Sequence, residues 1–523
     1  MNRILLLLMF SLISLVVQAG ERFFIPWGMK AEAYPAHVEL QWNNNRGFTW
    51  EIYRSTGGAA FVKCGETTND YFHDFFGKPV ENATPVTYRI LPKGMKATSE
   101  HAVKLELKVM VQPASEEALL DMVQRATTRY FFEFAEPLSG MARERSNDTN
   151  GEIVTTGGTG FGIMALVAAS ERGYYPRKEV TEKISRIVSF LEKAERFHGA
   201  WAHWYDARTG KVFSFSKYDD GGDLVETALL MQGLLVAREY YKSEEQSLSE
   251  RITRLWETVE WNWYTRGTDS LYWHWSKNHA WKMNHRIKGF DETLITYVLA
   301  ASSPTYPISA KVYEASFKTS PYFLNGKSYY GIKLDLGMEL GGPLFFTHYS
   351  FLGLDPRGLT DRHTNYFERN KAHTLIHRAY AIENPKKHVG YGEHLWGFTS
   401  SDDPLVGYSS HHPGTDADNG TVSPTAALSS IVYTPLESKK VLNYLYYCNG
   451  SQLWGRYGFY DAYNPGLPEG QQVVRSYLAI DQGPIAVMME NYRSGLNWKL
   501  FMQQPEIRKG IQKLGFSYRQ KER

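Results

Sequence analysis

The chain has 523 residues and sets 58 Lys and Arg against 56 Asp and Glu, interspersed rather than blocked, which argues against nucleic acid as the main partner. Only two cysteines occur, Cys64 and Cys448, so a disulfide framework is excluded and two free thiols are expected. The 14 Trp and 34 Tyr suit a neutral, hydroxyl-rich ligand whose C–H faces stack on rings.

The first segment, 1–19, carries Arg3, an apolar run from Ile4 to Val17 and a small-residue cleavage pattern at Val17-Gln18-Ala19. This is the form of a secretory signal peptide, too short and wrongly flanked for a membrane span. A periplasmic or secreted monomer with no membrane anchor after cleavage is expected, since no later apolar run is long enough to cross a bilayer.

From 22 to 112 the hydrophobic period is two. Val38–Trp42, Thr49–Arg54 and Val86–Leu91 alternate apolar with polar, and Asn43–Gly47 and Ser55–Gly58 punctuate them. Short strands at this spacing predict an all-β sandwich, which resembles a fibronectin type III-like domain. The segment holds no carboxylate pair or metal-ligand cluster, so a structural or docking role is expected.

From 116 to 520 a unit recurs: a Gly- or acid-rich loop, a small-residue apolar helix, then an amphipathic, charged helix. Apolar members begin near Gly158, Asp223, Gly289, Gly342, Val422 and Asp481. Amphipathic partners follow at Glu179–Glu195, Glu244–Trp263, Ser309–Ala315, Thr364–Glu383, Glu437–Cys448 and Pro505–Gly515. Tandem helix pairs bury their apolar faces only against neighbouring pairs, so six of them predict an all-α (α/α)6 toroid with the apolar set inside. Loops preceding the inner helices then gather at one face, where helix N-termini present free N–H groups to a ligand.

The most informative of these loops is Tyr218–Glu226. Asp223 stands where an N-cap would accept the orphan N–H groups of the first turn. Glu226 lies one turn inside a helix apolar on nearly every side, and a carboxyl there is costly unless it faces a cavity or finds partners. Among the other loops, Met141–Gly162 has a polar cluster of Arg143, Glu144, Arg145, Asp148 and Glu152 before its glycines. Its Gly-rich run lacks the strand and the Gly-Lys-Ser/Thr of a nucleotide site. His198–Asp206 interleaves Trp201, Trp204 and Tyr205 with His203, and Tyr272–Ser276 brings Trp273 and Trp275, both in the manner of a stacking platform. Asp291 and Glu292 open another inner helix, in a capping or a substrate-contacting role. Tyr391–Gly397 adds Tyr391, Glu393, His394 and Trp396.

The long irregular segment from Thr399 to Ser423 is rich in Asp, Ser, Gly and His, and such segments inside a helical body are usually functional or disordered. Asp416-x-Asp-x-Gly420 has the start of a calcium loop but lacks its closing Glu. No His-Glu-x-x-His spacing occurs either, so neither metal nor cofactor is expected.

Glycoside hydrolysis needs two carboxyl groups facing each other, one protonated and one ionised. Burial at the mouth of an apolar helix raises a carboxyl pKa, so Glu226 is the expected acid. The ionised partner is expected from a more solvated loop: Asp416 first, with Asp418, Glu393, Asp148 and Glu152 behind it. Arg143, Trp201, His203, Trp204, Tyr205, Trp273, Trp275, Glu292, Tyr391, His394 and Trp396 are the expected substrate contacts.

Gly157–Gly162, Gly221–Glu226, Tyr391–Gly397, Asn419–Ala427 and Asp481–Pro484, in that order, resemble motifs of the glucoamylase-like domain of glycoside hydrolase family 144 over nearly all of 116–520. The resemblance implies an (α/α)6 barrel, a periplasmic or secreted location, and inverting hydrolysis of β-1,2-glucan or its oligosaccharides. It carries the essential glutamate onto Glu226 and the late acidic residue onto Asp416 or Asp418. The family holds endo-glucanases and exo-enzymes releasing sophorose, and an N-terminal sandwich able to wall off one end of the cleft favours exo action. A non-catalytic glycan-binding protein and a polysaccharide lyase on a similar toroid are the alternatives from other classes.

Overall fold

The computed structural model describes residues 26–43, 47–96, 105–148 and 151–519. The signal segment 1–19 lies outside them. The chain divides into two compact units, Met1–Leu119 and Leu120–Arg523.

The described residues of the first unit form seven antiparallel strands: β1 Trp27–Ala33, β2 His37–Asn43, β3 Trp50–Thr56, β4 Val62–Thr67, β5 Tyr71–Phe75, β6 Thr84–Pro92 and β7 Glu106–Val111. They form two sheets, ordered β1-β2-β5 and β4-β3-β6-β7. Alternation turns one face of each strand inward, so Val38, Leu40 and Trp42 meet Trp50, Ile52, Val86, Tyr88 and Ile90 in one core. Asp74, buried beside that core, is satisfied: Arg54 pairs with it and the Tyr88 hydroxyl donates to it at 2.7 Å. Cys64 and Cys448 are free thiols, one in each unit.

The second unit is helical. Helices α1 Glu116–Arg129, α2 Thr156–Glu171, α3 Arg177–Leu191, α4 Leu224–Tyr241, α5 Gln246–Glu257, α6 Leu294–Ser302 and α7 Ala310–Ala315 make its first part. It continues with α8 Tyr366–Glu383, α9 Pro424–Ser429, α10 Pro435–Asn443, α11 Gly450–Leu453, α12 Ala479–Arg493, α13 Leu496–Met502 and α14 Pro505–Lys513. Helix α2 is buried from Thr156 through Ala169 and α4 from Leu224 through Ala237, as their lack of any polar stripe requires. Helix α2 packs on α4, α4 on α6, α9 on α12, and the late helix α12 returns to α2. The amphipathic helices cover them: α3 lies on α2, α5 on α4, and α14 on α6.

One expected helix is absent. The segment after Gly342 forms consecutive 3-10 turns, Leu344–Thr347 and Tyr349–Phe351, which pack between α6 and α8. Side chains compete for backbone there: the Thr347 hydroxyl donates to Leu344 O at 2.7 Å, and Tyr433 donates to Thr347 O from outside. Helix α9 passes at Ser430 into a 3-10 turn, Ser430–Val432, and the helical backbone ends at Thr434, the residue before Pro435. Within Thr399–Ser423, Ser400–Asp403 pairs with Gly407–Ser410 in a small hairpin.

Candidate active site

Asp223 caps α4, its Oδ1 accepting from the N–H groups of Val225 and Glu226, each at 2.9 Å. Its Oδ2 accepts from Trp273 Nε1 at 3.0 Å, which ties the cap to the loop carrying Trp273. The cap fixes Glu226 in the first turn, and the side chain reaches across to the start of α2, where Gly157 N–H donates to Oε2 at 2.6 Å. The carboxyl therefore sits at two helix N-termini, both favourable to negative charge. Burial nevertheless raises its pKa, and Asp223 adds to that, while His203 and the Gly157 N–H act against it.

His203 bridges the acids of this loop. Its Nδ1 is 3.4 Å from Asp223 Oδ2 and 3.8 Å from Asp219 Oδ2, and its Nε2 is 3.8 Å from Glu226 Oε1. Burial works to lower it, but Glu226, Asp223 and Asp219 outweigh that and hold it near 9, as an imidazolium at neutral pH. Asp219 is pushed up to about 7 by burial and by Asp223. The ring of His203 stacks on Phe215 at 4.2 Å, and Trp204 meets Phe215 edge-on. Phe213 and Phe215 are 43% and 47% exposed, so this corner carries apolar rings into solvent. One side-chain atom each of His203, Asp219 and Asp223 lies within 4.8 Å of the other two.

A second carboxyl group collects around Arg145. Its Nε donates to Glu144 Oε2 at 2.5 Å and its Nη1 to Asp402 Oδ1 at 2.9 Å. Ser476 donates to Asp402 Oδ2 at 2.7 Å, and Asp402 N–H donates to Asp461 Oδ2 at 2.6 Å. Asp461 is raised to about 7, first by burial and then by Asp402. Asp481, in the first turn of α12, is raised well above the ordinary range by burial and by Asp461 beside it. Glu144 links the two groups electrostatically, since its charge raises both Glu226 and Asp481. A third pair completes the setting: burial and Asp291 raise Glu292, and the charges of Glu226 and Asp223 add to this.

The remaining expected residues fall in several places. Asp416 is exposed and, among the described residues, makes no hydrogen bond or ion pair. Asp418 is buried with both oxygens occupied, by the hydroxyls of Tyr380 at 2.6 Å and Tyr391 at 2.7 Å. Glu393 and His394 are exposed, with Glu393 paired to Arg378 and Lys440. Glu152 pairs with Arg208, and Asp148 is half-buried. Arg143 directs its guanidinium to the carbonyls of Gly151 and Phe134, which makes it a loop brace. Trp201 and Tyr205 are core residues rather than a platform: each is fully buried and hydrogen-bonded to backbone, at Leu191 O and Glu195 O. Trp396 and Tyr391 are likewise buried. Trp204, Trp273 and Trp275 are part-exposed.

Sequence reasoning singled out Glu226, Asp223 and His203 but missed Asp461, whose Phe-Tyr-Asp-Ala-Tyr context has no motif. Asp481 was legible only as the start of an inner helix.

The Glycoamylase family model, described as a glucoamylase family, matches residues 284–505, and a family of unknown function, DUF3131, matches 123–269. The chain is 42% identical over 517 residues to an exo β-1,2-glucooligosaccharide sophorohydrolase (non-reducing end) of Parabacteroides distasonis, covering 93% of this chain and 70% of that protein. Its structure is similar to a β-1,2-glucanase of Parabacteroides distasonis, with TM-score 0.84, 39% identity and coverage of 94% and 74%. It is also similar to an endo-β-1,2-glucanase of Chitinophaga pinensis in complex with sophorotriose and glucose, with TM-score 0.75, 48% identity and coverage of 77% and 99%.

Proposed function

The chain belongs to glycoside hydrolase family 144, the glucoamylase-like β-1,2-glucan-degrading enzymes, and from that premise we propose an exo-acting hydrolase that releases sophorose from β-1,2-glucooligosaccharides with inversion. The observation that carries the reaction is Glu226, a buried carboxyl of raised pKa held between the α2 N-terminus and His203, with the Arg145-centred acids linked to it through Glu144. Glu226 serves as the general acid, giving its proton to the glycosidic oxygen as the C1–O bond breaks. The base, which takes a proton from the attacking water, is assigned to the Arg145-centred group. Asp461 is the first choice because a base titrating near 7 is matched to neutral operation. Asp416, the residue first expected for this role, is exposed and makes no hydrogen bond or ion pair among the described residues.

Exo action is favoured by coverage. Similarity to the exo relative spans 93% of this chain and so includes the N-terminal unit, whereas the endo relative spans 77%. The packing of α12 back onto α2 supports reading the helical body, 116–520, as an (α/α)6 toroid. The two-sheet unit, 22–112, reads as its fibronectin type III-like companion. The signal-peptide form of 1–19 supports a periplasmic or secreted location.

The test is digestion of linear β-1,2-glucooligosaccharides beside cyclic β-1,2-glucan, which has no chain end. Sophorose from the linear chains, an intact ring, and loss of sophorose release with oligosaccharide affinity retained in Glu226→Gln are expected. A ladder of lengths, or opening of the ring, would establish endo action, and a wild-type protein inert on every β-glucan would leave the binding-protein and lyase alternatives.

A further inference from the structure

An acid that gives up its proton in each turnover must recover it before the next. Glu226 faces Asp223, Asp219, Glu144, Glu292, the Gly157 N–H and His203, and His203 is the cation among them. The amide of Gly157 holds Oε2 but has no proton to transfer, whereas His203 Nε2 lies 3.8 Å from the other oxygen, Oε1. At the far side of the ring, Nδ1 is buried, makes no hydrogen bond, and stands 3.4 Å from Asp223 Oδ2 and 3.8 Å from Asp219 Oδ2. Stacking on Phe215 fixes the ring plane so that both nitrogens point at acids.

Asp219 is suited to hold a proton there. Its Oδ1 lies 3.4 Å from His274 Nε2, but that nitrogen already accepts the Gly221 N–H at 3.0 Å. An ionised Oδ1 would therefore find no donor on His274, and the buried oxygen has no other partner. Asp223 is committed differently, with Oδ1 on the helix cap and Oδ2 on Trp273. The geometry is a line of titratable groups, Asp219, His203 and Glu226, that ends on the acid.

We propose that His203 is a positioning residue for Glu226 that returns its proton after each cleavage, passing it from Nε2 to Oε1 and being refilled at Nδ1 from Asp219. This rests on the reading of Glu226 as the general acid. The step balances: cleavage moves the Glu226 proton to the departing sugar oxygen, and the attacking water loses one proton to the base across the cleft. His203 then restores Glu226, Asp219 restores His203, and solvent carries the proton from the base back to Asp219. The separations of 3.8 Å are longer than hydrogen bonds and are expected to tighten, or to take in one water, when substrate closes the site.

The test is kcat and KM on a β-1,2-linked glucopentaose from roughly pH 5 to 9 for wild type, His203→Gln, His203→Ala and Glu226→Gln. His203→Gln is expected to lower kcat by about tenfold or more with KM held within about twofold. Its basic limb should move to higher pH, because Glu226 without a neighbouring imidazolium keeps its proton longer. Free imidazole should restore kcat to His203→Ala and not to Glu226→Gln. A wild-type kcat and profile in His203→Gln would overturn the proposal. A shifted limb with unchanged kcat would reduce His203 to a fixed charge and equally overturn proton return. If His203→Gln fails to fold by near-UV circular dichroism, imidazole rescue of His203→Ala decides alone, and its absence counts against the proposal. An active Glu226→Gln sinks the acid assignment itself, whereas an inactive one beside a wild-type-like His203→Gln sinks only the proton return.

Discussion

Glu226 is governed by one neighbour that has no side chain. A Cβ built on Gly157 would stand 2.5 Å from Glu226 Oε2 and 3.0 Å from Leu229 Cδ1. Gly157 keeps an ordinary helical backbone, so alanine is tolerated conformationally and the collision falls on the movable end of the Glu226 side chain. Gly157→Ala is therefore expected to push the carboxyl off the α2 amide and lower kcat by about a hundredfold, with KM and melting temperature nearly unchanged. A variant with wild-type kcat would show that the carboxyl tolerates displacement. Burial sets Asp461 apart at the same scale: held among aromatic residues, its carboxyl is pushed up to about 7, first by burial.

At the scale of elements, the site depends on α2 and α4 approaching closely enough for Glu226 to cross between them. Gly160 and Gly233 make that approach possible. A Cβ on Gly160 would run into the backbone of Leu229 and Leu230, and one on Gly233 into the backbone of Gly160. Neither obstacle can swing away, unlike the one at Gly157. Gly160→Ala and Gly233→Ala are each expected to destabilise by about 1–3 kcal/mol, read as a lower urea midpoint. The double variant should cost less than the sum, since the first alanine has already separated the helices. Strict additivity would mean that the two glycines act at independent contacts. The crossing distance of these apolar, Gly-bearing helices thus sets how far the Glu226 carboxyl reaches.

Across the whole molecule, buried titratable groups pull stability in opposite directions with pH. His348 and His377 are each pushed down to about 3 by burial, and His373, beside His377 on the Gly342 carbonyl, is also lowered. Their ordinary value is about 6.5, so they contribute stability above that pH which is lost as pH falls towards 3, where the unfolded chain binds more protons. The raised carboxyls act the other way. Asp219 and Asp461, near 7, and Asp291, near 6, contribute stability below their ordinary value of about 4 that is lost as pH rises. The two sets oppose each other between about pH 4 and 6.5, which predicts a broad stability maximum. His377→Gln isolates one set: its deficit in melting temperature against wild type should shrink from about pH 7.5 to 5. A deficit independent of pH would mean that His377 is not held neutral by the fold.

The sequence by itself determined the β-then-α order of the chain, the capped helix start at Asp223, and Glu226 as a carboxyl in an apolar setting. Each of these is local: period two or all-round apolarity, an N-cap three residues before a glutamate, and the expense of burying a charge are all readable within a few turns. It also carried the order of five motifs that resemble one family. Tertiary structure alone decided which acids share the site. Asp461 and Asp481 meet Asp402 and Arg145 from segments far apart in the chain, and no spacing rule connects them. It also decided that Trp201 and Tyr205 are core while Phe215 is rim, because an aromatic residue in a loop has the same sequence signature whether its ring turns inward or outward. The helix expected after Gly342 gave way for the same reason: tertiary hydrogen bonds to Thr347 and the Gly342 carbonyl outweighed a local apolar pattern.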